Sequence, residues 1–188
     1  MRVIGGSAKG HRLKRVPGDV TRPIMDRVKE NLFNILGNWV VGTRWLDLFA
    51  GTGQVGIEAL SRGAEQAIFV DSARAAIRTV HQNLASTRLA AKAVVIHDDA
   101  FSVLRRADHQ PLDVVYVAPP QYQDIWLGVM AEIEKDPGTW LTADGMVIVQ
   151  IDPNEFQQRN WHGLSIFDTR RYGRTMLCFY ELEVGSGQ

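Results

Sequence analysis

The sequence predicts an α/β fold built on a mostly parallel sheet. From residue 44 onward, short apolar runs alternate with amphipathic stretches, which is typical of right-handed βαβ units with helices on both faces of a sheet. The last two apolar runs are joined only by residues 170–174, a link too short for a parallel crossover. We therefore expect a central seven-stranded sheet in which five parallel strands are followed by a terminal antiparallel hairpin.

Each element has its own signal. Runs of β-branched and aromatic residues between turn residues predict strands, and apolar residues three or four positions apart predict helices. The predicted strands are residues 44–49, 66–71, 93–97, 113–117, 146–151, 164–169 and 175–183. The predicted helices between the first five strands are residues 54–62, 73–85, 100–107 and 124–134.

The segment ahead of the sheet divides into a small β extension and a helix. Residues 1–20 contain several glycines and the pair Pro17-Gly18, which predict short strands joined by turns. A helix is expected after Pro23, because proline suits an early helical position and the apolar residues that follow have helical spacing. These residues are Ile24, Val28, Leu32, Ile35 and Leu36. We expect two parts, an extension over residues 1–20 and a main domain over residues 21–188.

Composition excludes several classes of protein. A hydrophobic content of 45% is enough for a full core and argues against a disordered chain. The sequence has no apolar run of about 18 residues and no apolar segment typical of a secretory signal, so we expect a soluble cytoplasmic protein without membrane association. Cys178 is the single cysteine, and its apolar surroundings predict a small buried hydrophobe.

The net charge of zero hides an uneven distribution. Residues 1–30 carry eight Lys/Arg against three Asp/Glu, a net charge of +5, so residues 31–188 sum to −5. A basic segment can neutralise the phosphates of a polyanion. On charge alone, a segment of merely solvated cations explains the pattern equally well.

A glycine turn follows the first predicted strand, in Asp47-Leu-Phe-Ala-Gly-Thr-Gly53. The glycines allow a sharp turn and the close approach of a ligand, and the next helix offers its unpaired N–H groups. Residues 51–56 also fit G-x-G-x-x-G with Asp71 about 20 residues further on, so a dinucleotide is one candidate ligand. Two features favour S-adenosylmethionine. The Asp47 carboxylate suits its cationic methionine end and would repel a pyrophosphate, and dinucleotide-binding sheets do not usually carry a terminal hairpin. A turn without a ligand is the remaining alternative.

Acidic residues also end the second and third predicted strands. Asp71 can accept hydrogen bonds from both hydroxyls of a ribose, or it can cap the helix that follows Ser72. Asp98 and Asp99 precede Ala100, where a side chain can accept a hydrogen bond from an adenine amino group. Each of these two also suits the N-cap of a helix.

The chain resembles a known family over nearly its whole length, and this match includes three segments. They are RVIGGSAKGHRL at residues 2–13, TRPIMDRVKENLFNI at 21–35 and DLFAGTGQVGIEALSR at 47–62. The chain resembles the class I S-adenosylmethionine-dependent methyltransferases, and within them the bacterial enzymes that methylate a guanine N2 in 16S (small-subunit) ribosomal RNA. The third segment is typical of methyltransferases generally, whereas the second is similar to the "R-P-T-x-D-R-V-[RK]-E" segment of this family. The resemblance implies a Rossmann-like fold.

The resemblance also implies roles for individual residues. Asp47, Gly51 and Gly53 would line the methionine end of the cofactor. Asp71 would contact its ribose and Asp99 its adenine. Thr21, Arg22 and Arg27 would lie near the cofactor or the target base, with salt bridges inside their helix as the alternative. The full expected cofactor set is Asp47, Phe49, Ala50, Gly51, Thr52, Gly53, Asp71, Ser72, Asp98, Asp99 and Ala100. The expected RNA-binding set is Arg2, Lys9, Arg12, Lys14, Arg15, Arg22 and Arg27.

The chain departs from the family after the fourth predicted strand. Methyltransferases of exocyclic base amines carry Asp or Asn, two prolines and an aromatic residue there. This chain has Ala118, Pro119, Pro120, Gln121 and Tyr122, which we take as the catalytic set. The lone pair of a base amine is delocalised into its ring, so an acceptor that holds the amine hydrogens lowers the barrier to attack.

Substitutes for the missing acid are available nearby. The carbonyl groups of Ala118 and Pro119 and the amide oxygen of Gln121 are acceptors, and Tyr122 offers a stacking face for a flipped base. A strand-terminating turn without chemistry is the alternative.

We therefore expect a methyltransferase that acts on the exocyclic N2 of a guanine in 16S rRNA, either free or in a small-subunit particle. Residues 1–20 would bind RNA, together with Arg170, Arg171 and Arg174, and residues 21–188 would form the S-adenosylmethionine-dependent domain. We expect no metal and a monomer. The alternatives are a methyltransferase of another amine, in a small molecule or a protein, and a non-catalytic RNA-binding homologue that lost its chemistry through Ala118.

Overall fold

The computed structural model describes residues 1–18, 24–106 and 109–183. In these ranges the chain forms a mixed, mostly parallel sheet of seven strands with accompanying helices, as the sequence predicts. Two compact units make up the chain, Met1–Ala100 and Phe101–Gln188. None of the described helices is long and apolar enough to cross a membrane.

The first unit contains three parallel strands in the order β3-β2-β1. Its strands are β1 (Arg44–Asp47), β2 (Gln66–Asp71) and β3 (Ala93–His97). Its helices are α1 (Asp26–Leu36), α2 (Gln54–Ser61) and α3 (Arg74–Thr87). In register, Asp47 lies beside Phe69 and Asp71 lies beside His97, so the carboxyl ends of the three strands share one edge. Side chains that follow these strands are thereby brought together.

Helix α2 lies against the sheet with all of its residues buried. Its close approach depends on Gly56, because a Cβ atom there would lie 2.4 Å from the ring of Phe69 on β2. Phe33 of α1 stacks on Trp45 of β1 at a centroid distance of 5.5 Å, and both are fully buried. Helices α1 and α2 therefore both contribute to the buried core of this unit.

The second unit contains strands in the order β4-β5-β7-β6. The strands are β4 (Leu112–Val117), β5 (Leu141–Ile151), β6 (Leu164–Tyr172) and β7 (Thr175–Leu182). The helices are α4 (Ala100–Arg106), which begins at the last residue of the first unit, α5 (Ile125–Ile133) and α6 (Pro137–Trp140). Strands β4 and β5 are parallel, whereas β7 is antiparallel to both β5 and β6. The predicted terminal hairpin is confirmed.

Several predicted bounds are wrong for identifiable reasons. Strand β5 begins at Leu141 and not at residue 146, because Leu141 pairs with Leu112 ahead of an irregularity in the ladder. Helix α6 was not predicted, since Pro137 and Gly138 look like a loop although proline suits a first helical turn. The end of the predicted helix 100–107 and Pro23 lie outside the described residues.

Two predictions about the N-terminal part need correction. The short strands expected in residues 1–20 reduce, within residues 1–18, to an isolated antiparallel bridge between Arg2 and Arg12. Ile35, expected on the apolar face of the helix, is 41% exposed, while the adjacent buried stripe includes Phe33. The buried face of α1 runs through Val28, Lys29, Leu32, Phe33 and Leu36.

Cys178 lies in β7 and is fully buried, as predicted. Burial raises the pKa of its thiol to about 12, so the thiolate form is scarce at neutral pH. The side chain acts as a small hydrophobe of the sheet.

Candidate active site

The turn after β1 has the backbone shape that its glycines predict. Gly51 and Gly53 adopt φ values of 54° and 76°, in the left-handed region that favours glycine. The turn closes through a hydrogen bond of 2.7 Å from the Gly53 N–H to the Ala50 carbonyl. A Cβ atom added at Gly51 would meet no atom within 4 Å. The backbone at Gly51 therefore borders open space in which a ligand can approach closely.

Asp47 ends β1 beneath this turn and is only 2% exposed. Burial raises the pKa of its carboxyl to about 7, and the charge of Asp71 adds to the shift, while backbone N–H groups of Phe49 and Gly56 oppose it. Its Oδ1 atom has no hydrogen-bond partner among the described residues. A buried carboxylate with an unsatisfied oxygen is costly, and a cationic ligand group would offset that cost. The site therefore fits the cationic end of S-adenosylmethionine.

Asp71 ties the turn to the end of β2. Its Oδ2 accepts a hydrogen bond from the Gly51 N–H, and its Oδ1 accepts one from the Ala73 N–H, both at 2.8 Å. The expected alternative role as a helix N-cap is wrong, because Ala73 occupies that position of α3. Each carboxylate oxygen retains a second lone pair, so Asp71 can still accept from ribose hydroxyls.

Asp98 and Asp99 follow β3 at the same edge of the first unit. The Asp98 N–H donates to the Asp71 carbonyl at 3.2 Å, and Asp98 Oδ1 accepts from the Asp99 N–H at 2.8 Å. Asp98 is half-buried, Asp99 and Ser72 are exposed, and Ala100 is buried at the start of α4. The structure thus brings the acidic residues predicted for the cofactor to neighbouring strand ends.

Asn83 connects the glycine turn to the N-terminal extension, and sequence reasoning missed it. This fully buried residue of α3 donates from Nδ2 to the Thr52 carbonyl at 2.8 Å and to the Lys14 carbonyl at 3.1 Å. Its Oδ1 accepts from the Lys14 N–H at 2.8 Å. The available signal was an amide on the buried face of an amphipathic helix, where apolar residues are expected.

Glu58 of α2 anchors the beginning of the extension. This fully buried carboxylate accepts from the N–H groups of Ile4 and Gly5 at 2.9 and 2.8 Å. It also pairs with Lys29 at 3.1 Å and with Arg62 at 2.8 Å. Burial lowers the pKa of Lys29, against the opposing effect of Glu58. Lys29 adds to the charge of the basic segment but is withdrawn from its surface.

The described residues of the predicted RNA-binding set lie on the surface of the first unit. The exposed members are Arg2, Lys9, Arg12, Lys14, Arg15 and Arg27. Arg22 and Thr21 lie outside the described residues. Asp26, the first residue of α1, has Arg2 of the extension as an ion-pair partner at 3.8 Å. This solvent-exposed pair leaves the basic character of the segment intact.

In the second unit, the predicted catalytic segment follows β4. Ala118 is half-buried and Pro119 is buried, whereas Pro120, Gln121 and Tyr122 are exposed. Tyr122 has a φ of 61° and keeps 58% of its surface exposed. The segment therefore presents its polar and aromatic end, not Ala118, to solvent.

A cluster around Asp152 holds Tyr122. The Tyr122 hydroxyl donates to Asp152 Oδ2 at 2.7 Å, and the Tyr122 N–H donates to Glu155 Oε1 at 2.6 Å. Asp152 is 1% exposed, and hydrogen bonds from the Asn154 N–H and from Tyr122 lower its pKa. Sequence reasoning missed Asp152 and Glu155, although Asp-Pro-Asn-Glu has the spacing of a capping box, which the structure forms.

The arginines of the hairpin differ in their contacts. Arg174 reaches Asp152 Oδ2 with Nε at 3.5 Å and the Tyr122 hydroxyl with Nη2 at 3.4 Å, while its side chain stays 74% exposed. Arg170 pairs with Asp168 at 2.8 Å. Arg171 is exposed and donates to the Gly173 carbonyl at 3.4 Å. Of the three, Arg174 lies beside the predicted catalytic segment.

Several known proteins similar to this chain are named as methyltransferases. YlbH of Bacillus subtilis, provisionally named an rRNA methyltransferase, is 38% identical over 183 residues, which cover 96% of this chain and 98% of YlbH. Ribosomal RNA small subunit methyltransferase D of Escherichia coli is 35% identical over 150 residues, covering 80% of this chain and 74% of that protein. The solved structure of yhhF from Escherichia coli, provisionally named a methyltransferase, has a TM-score of 0.81 at 33% identity and covers 97% of this chain and 98% of its own.

The family assignment rests on most of the chain. Residues 1–181 match the family described as "Conserved hypothetical protein 95". The resemblance to small-subunit rRNA methyltransferases, carried by residues 2–13, 21–35 and 47–62, is confirmed by these relatives. The chain therefore belongs to the conserved hypothetical protein 95 family.

Proposed function

We propose that this protein is an S-adenosylmethionine-dependent methyltransferase that methylates the exocyclic N2 of a guanine in 16S rRNA. The observation that carries the proposal is the buried Asp47 carboxylate, which has an unpartnered oxygen at a glycine turn. The relatives named as rRNA methyltransferases support the RNA substrate. Together they favour a cationic cofactor in the first unit and an RNA substrate.

The cofactor would be held by residues that the fold already brings together. Asp47 would pair with its cationic methionine end, and Gly51 would allow the backbone to approach it. Asp71 would accept from the ribose and Asp99 from the adenine. When bound, S-adenosylmethionine supplies an electrophilic methyl group that guanine N2 attacks in a single displacement, leaving S-adenosylhomocysteine.

The target base would meet residues 118–122. Ala118 has no side-chain acceptor, so holding the hydrogens of the base amine falls to the carbonyl groups of Ala118 and Pro119 and to Gln121. Tyr122 would stack on the base. The proton lost from N2 passes to one of these acceptors or to water, and positioning supplies most of the acceleration.

RNA binding would use the exposed cations of the extension. Arg2, Lys9, Arg12, Lys14 and Arg15 form a basic surface suited to phosphates. We extend the proposal to a monomer that uses no metal and accepts free 16S rRNA or a small-subunit particle.

Methyl transfer to small ribosomal subunits that lack the modification tests the proposal. Purified protein, tritiated S-adenosylmethionine and such subunits should give labelled 16S rRNA, and nucleoside mass spectrometry should identify N2-methylguanosine. The matched control is the Asp47→Ala protein, which should give no label. Labelled RNA without N2-methylguanosine, or no label with the unaltered protein, would refute it.

A second candidate is a non-catalytic RNA-binding homologue, which Ala118 specifically favours. It predicts that the protein binds small subunits but transfers no methyl group, and that Ala118→Asp does not reveal activity. Labelling of rRNA by the unaltered protein eliminates it.

The dependence of substrate affinity on salt distinguishes a methyltransferase of another amine from the proposed rRNA methyltransferase. Substrate binding would then be insensitive to ionic strength, whereas RNA affinity falls steeply between low and moderate salt. A binding series over this range with 16S rRNA distinguishes the two substrates.

A further inference from the structure

We infer that Asp152 and Glu155 are positioning residues that hold Tyr122 as a preformed stacking surface for one RNA base, and that Arg174 binds a phosphate beside that base. The inference rests on the proposed function for RNA as the ligand. It adds two buried acids and one exposed cation that residues 118–122 do not themselves contain.

Glu155 fixes the backbone of Tyr122. A tyrosine with a φ of 61° lies in the left-handed region that non-glycine residues rarely adopt, so surrounding contacts must hold it there. Glu155 Oε1 accepts the Tyr122 N–H at 2.6 Å, and Glu155 Oε2 accepts the Asp152 N–H at 3.3 Å. Glu155 itself is only 8% exposed. Its carboxylate is thus held between two backbone segments and cannot swing away.

Asp152 fixes the other end of the same side chain. Its Oδ2 accepts the Tyr122 hydroxyl at 2.7 Å, while its Oδ1 accepts the Asn154 N–H at 3.0 Å. Tyr122 is therefore held at both its amide and its hydroxyl, yet 58% of its surface stays exposed. A surface tyrosine gains little packing energy from such restraint. The restraint does reduce the entropy lost when a base stacks on the ring.

Arg174 supplies a cation at the edge of this surface. Its Nη2 lies 3.4 Å from the Tyr122 hydroxyl, and its Nε lies 3.5 Å from Asp152 Oδ2. Both contacts are long, and the side chain is 74% exposed. A guanidinium has five N–H donors, so most of them can still reach a phosphate. Base stacking and phosphate binding on adjacent groups are the combination that single-stranded RNA offers.

Two RNA probes separate stacking from phosphate binding. The first is a five-nucleotide single-stranded RNA with a central guanine, and the second is an abasic backbone of the same length and charge. Fluorescence anisotropy should show that the unaltered protein binds the first probe more tightly. Tyr122→Ala should lower affinity for the first probe by about 5- to 150-fold and leave the abasic probe unaffected, since stacking is worth about 1–3 kcal/mol per base.

The positioning residues are tested by paired substitutions. Asp152→Ala and Glu155→Ala should lose most of the preference for the guanine probe. Asp152→Asn should retain it, because its amide can accept from the Asn154 N–H and donate to the Tyr122 hydroxyl. Glu155→Gln keeps one acceptor for the Tyr122 N–H but loses the acceptor for the Asp152 N–H, so it should retain more of the preference than Glu155→Ala and less than the unaltered protein. Arg174→Gln should weaken both probes alike and reduce the salt slope of binding by about one. Lys135→Gln, an exposed cation of the same unit, is the control and should change neither probe.

Each outcome decides the inference. The stacking surface is contradicted if the unaltered protein binds both probes equally, or if the Tyr122→Ala protein still prefers the guanine probe. Because Tyr122 is exposed, its replacement by alanine should not prevent folding. Stable alanine variants at 152 and 155 with full preference contradict the positioning role. A protein that prefers the guanine probe but methylates nothing would retain this inference and lose the proposed function. If the Tyr122→Ala protein methylates 16S rRNA as fast as the unaltered protein, methyl transfer to 16S rRNA is supported and the stacking surface is contradicted.

Discussion

Asp47 is a carboxylic acid whose ionisation is coupled to folding. Its pKa lies near 7 in the folded protein and near 3.8 in the unfolded chain, chiefly because burial disfavours the charge. Between these values the folded protein holds a proton that the unfolded chain releases. The contribution of Asp47 to the free energy of unfolding should therefore fall as pH rises from about 4 to about 7.

The variant Asp47→Asn isolates this contribution, because the amide cannot ionise. In urea unfolding between pH 5 and pH 8, the unaltered protein should lose more stability than Asp47→Asn across the window that ends near pH 7. Parallel pH curves for the two proteins would contradict the assignment.

Cofactor binding should show the opposite dependence on pH. A cationic group beside Asp47 favours the carboxylate, so binding below pH 7 must release a proton. As pH increases towards 7, we expect the affinity for S-adenosylhomocysteine to increase by up to about tenfold per pH unit. Calorimetric titration in buffers of different ionisation enthalpy measures the proton release directly. Asp47→Asn should bind more weakly and release no proton.

At the scale of the element, Gly51 in the β1–α2 connection and Gly56 within α2 have separate tasks. Gly56→Ala would gain about 1 kcal/mol of helix propensity but place a methyl group 2.4 Å from the buried ring of Phe69. Overpacking costs about 1–3 kcal/mol and should win, because Phe69 is fully buried. Urea unfolding should show a net loss of stability.

Gly51→Ala is the matched comparison. Its Cβ atom would meet no atom within 4 Å, so only the strain of its positive φ, about 1 kcal/mol, opposes folding. The same methyl group would occupy the space expected for the cofactor. We therefore expect a small loss of stability with a large loss of S-adenosylhomocysteine affinity.

For Gly56→Ala, an unchanged free energy of unfolding would contradict the expected overpacking and show that α2 can move away from β2.

Asn83 joins α3, the glycine turn and the extension through three hydrogen bonds. Asn83→Ala leaves the buried Thr52 carbonyl and the part-buried N–H and carbonyl groups of Lys14 without this partner. An unpaired buried group costs about 1–3 kcal/mol, and a group that water can reach costs less. We expect a loss of about 3 kcal/mol in urea unfolding and weaker cofactor binding. Ser86→Ala, an exposed site on the same helix, is the control and should stay within about 0.5 kcal/mol of the unaltered protein.

The elements of the proposed cofactor site were predictable because their signals are local. Asp47 to Gly53 form one contiguous segment, and Asp71 directly ends a strand of clear pattern. The Asp152 cluster was not predictable in this way, since it joins a turn after β4 to a turn after β5 that lies 30 residues further along the chain. Only the register of the folded strands determines that contact. Ile35 misled for a related reason, because helical spacing fits several faces of α1 and packing selects one.

At the scale of the whole molecule, the uneven charge distribution should control RNA binding. The exposed cations of residues 1–18 belong to a segment whose charge is balanced only by residues beyond position 30. Substituting Arg12→Gln should weaken binding of 16S rRNA without sequence preference and lower the slope of log affinity against log salt by about one. Lys92→Gln, an exposed cation elsewhere in the first unit, is the control. Equal slopes for the unaltered and Arg12→Gln proteins would exclude Arg12 from the phosphate contacts.

The anchoring of the extension by Glu58 and Asn83 affects how a shortened protein would behave. A protein beginning after residue 18 would keep every residue predicted to hold the cofactor. It would nevertheless uncover the Glu58 carboxylate, which loses the N–H groups of Ile4 and Gly5, and leave Asn83 without Lys14. Its cofactor affinity should fall although no cofactor contact has been removed. In such a protein, weak cofactor binding would reflect the lost hydrogen bonds of Glu58 and Asn83 with the extension. It would not show that the extension itself contacts the cofactor.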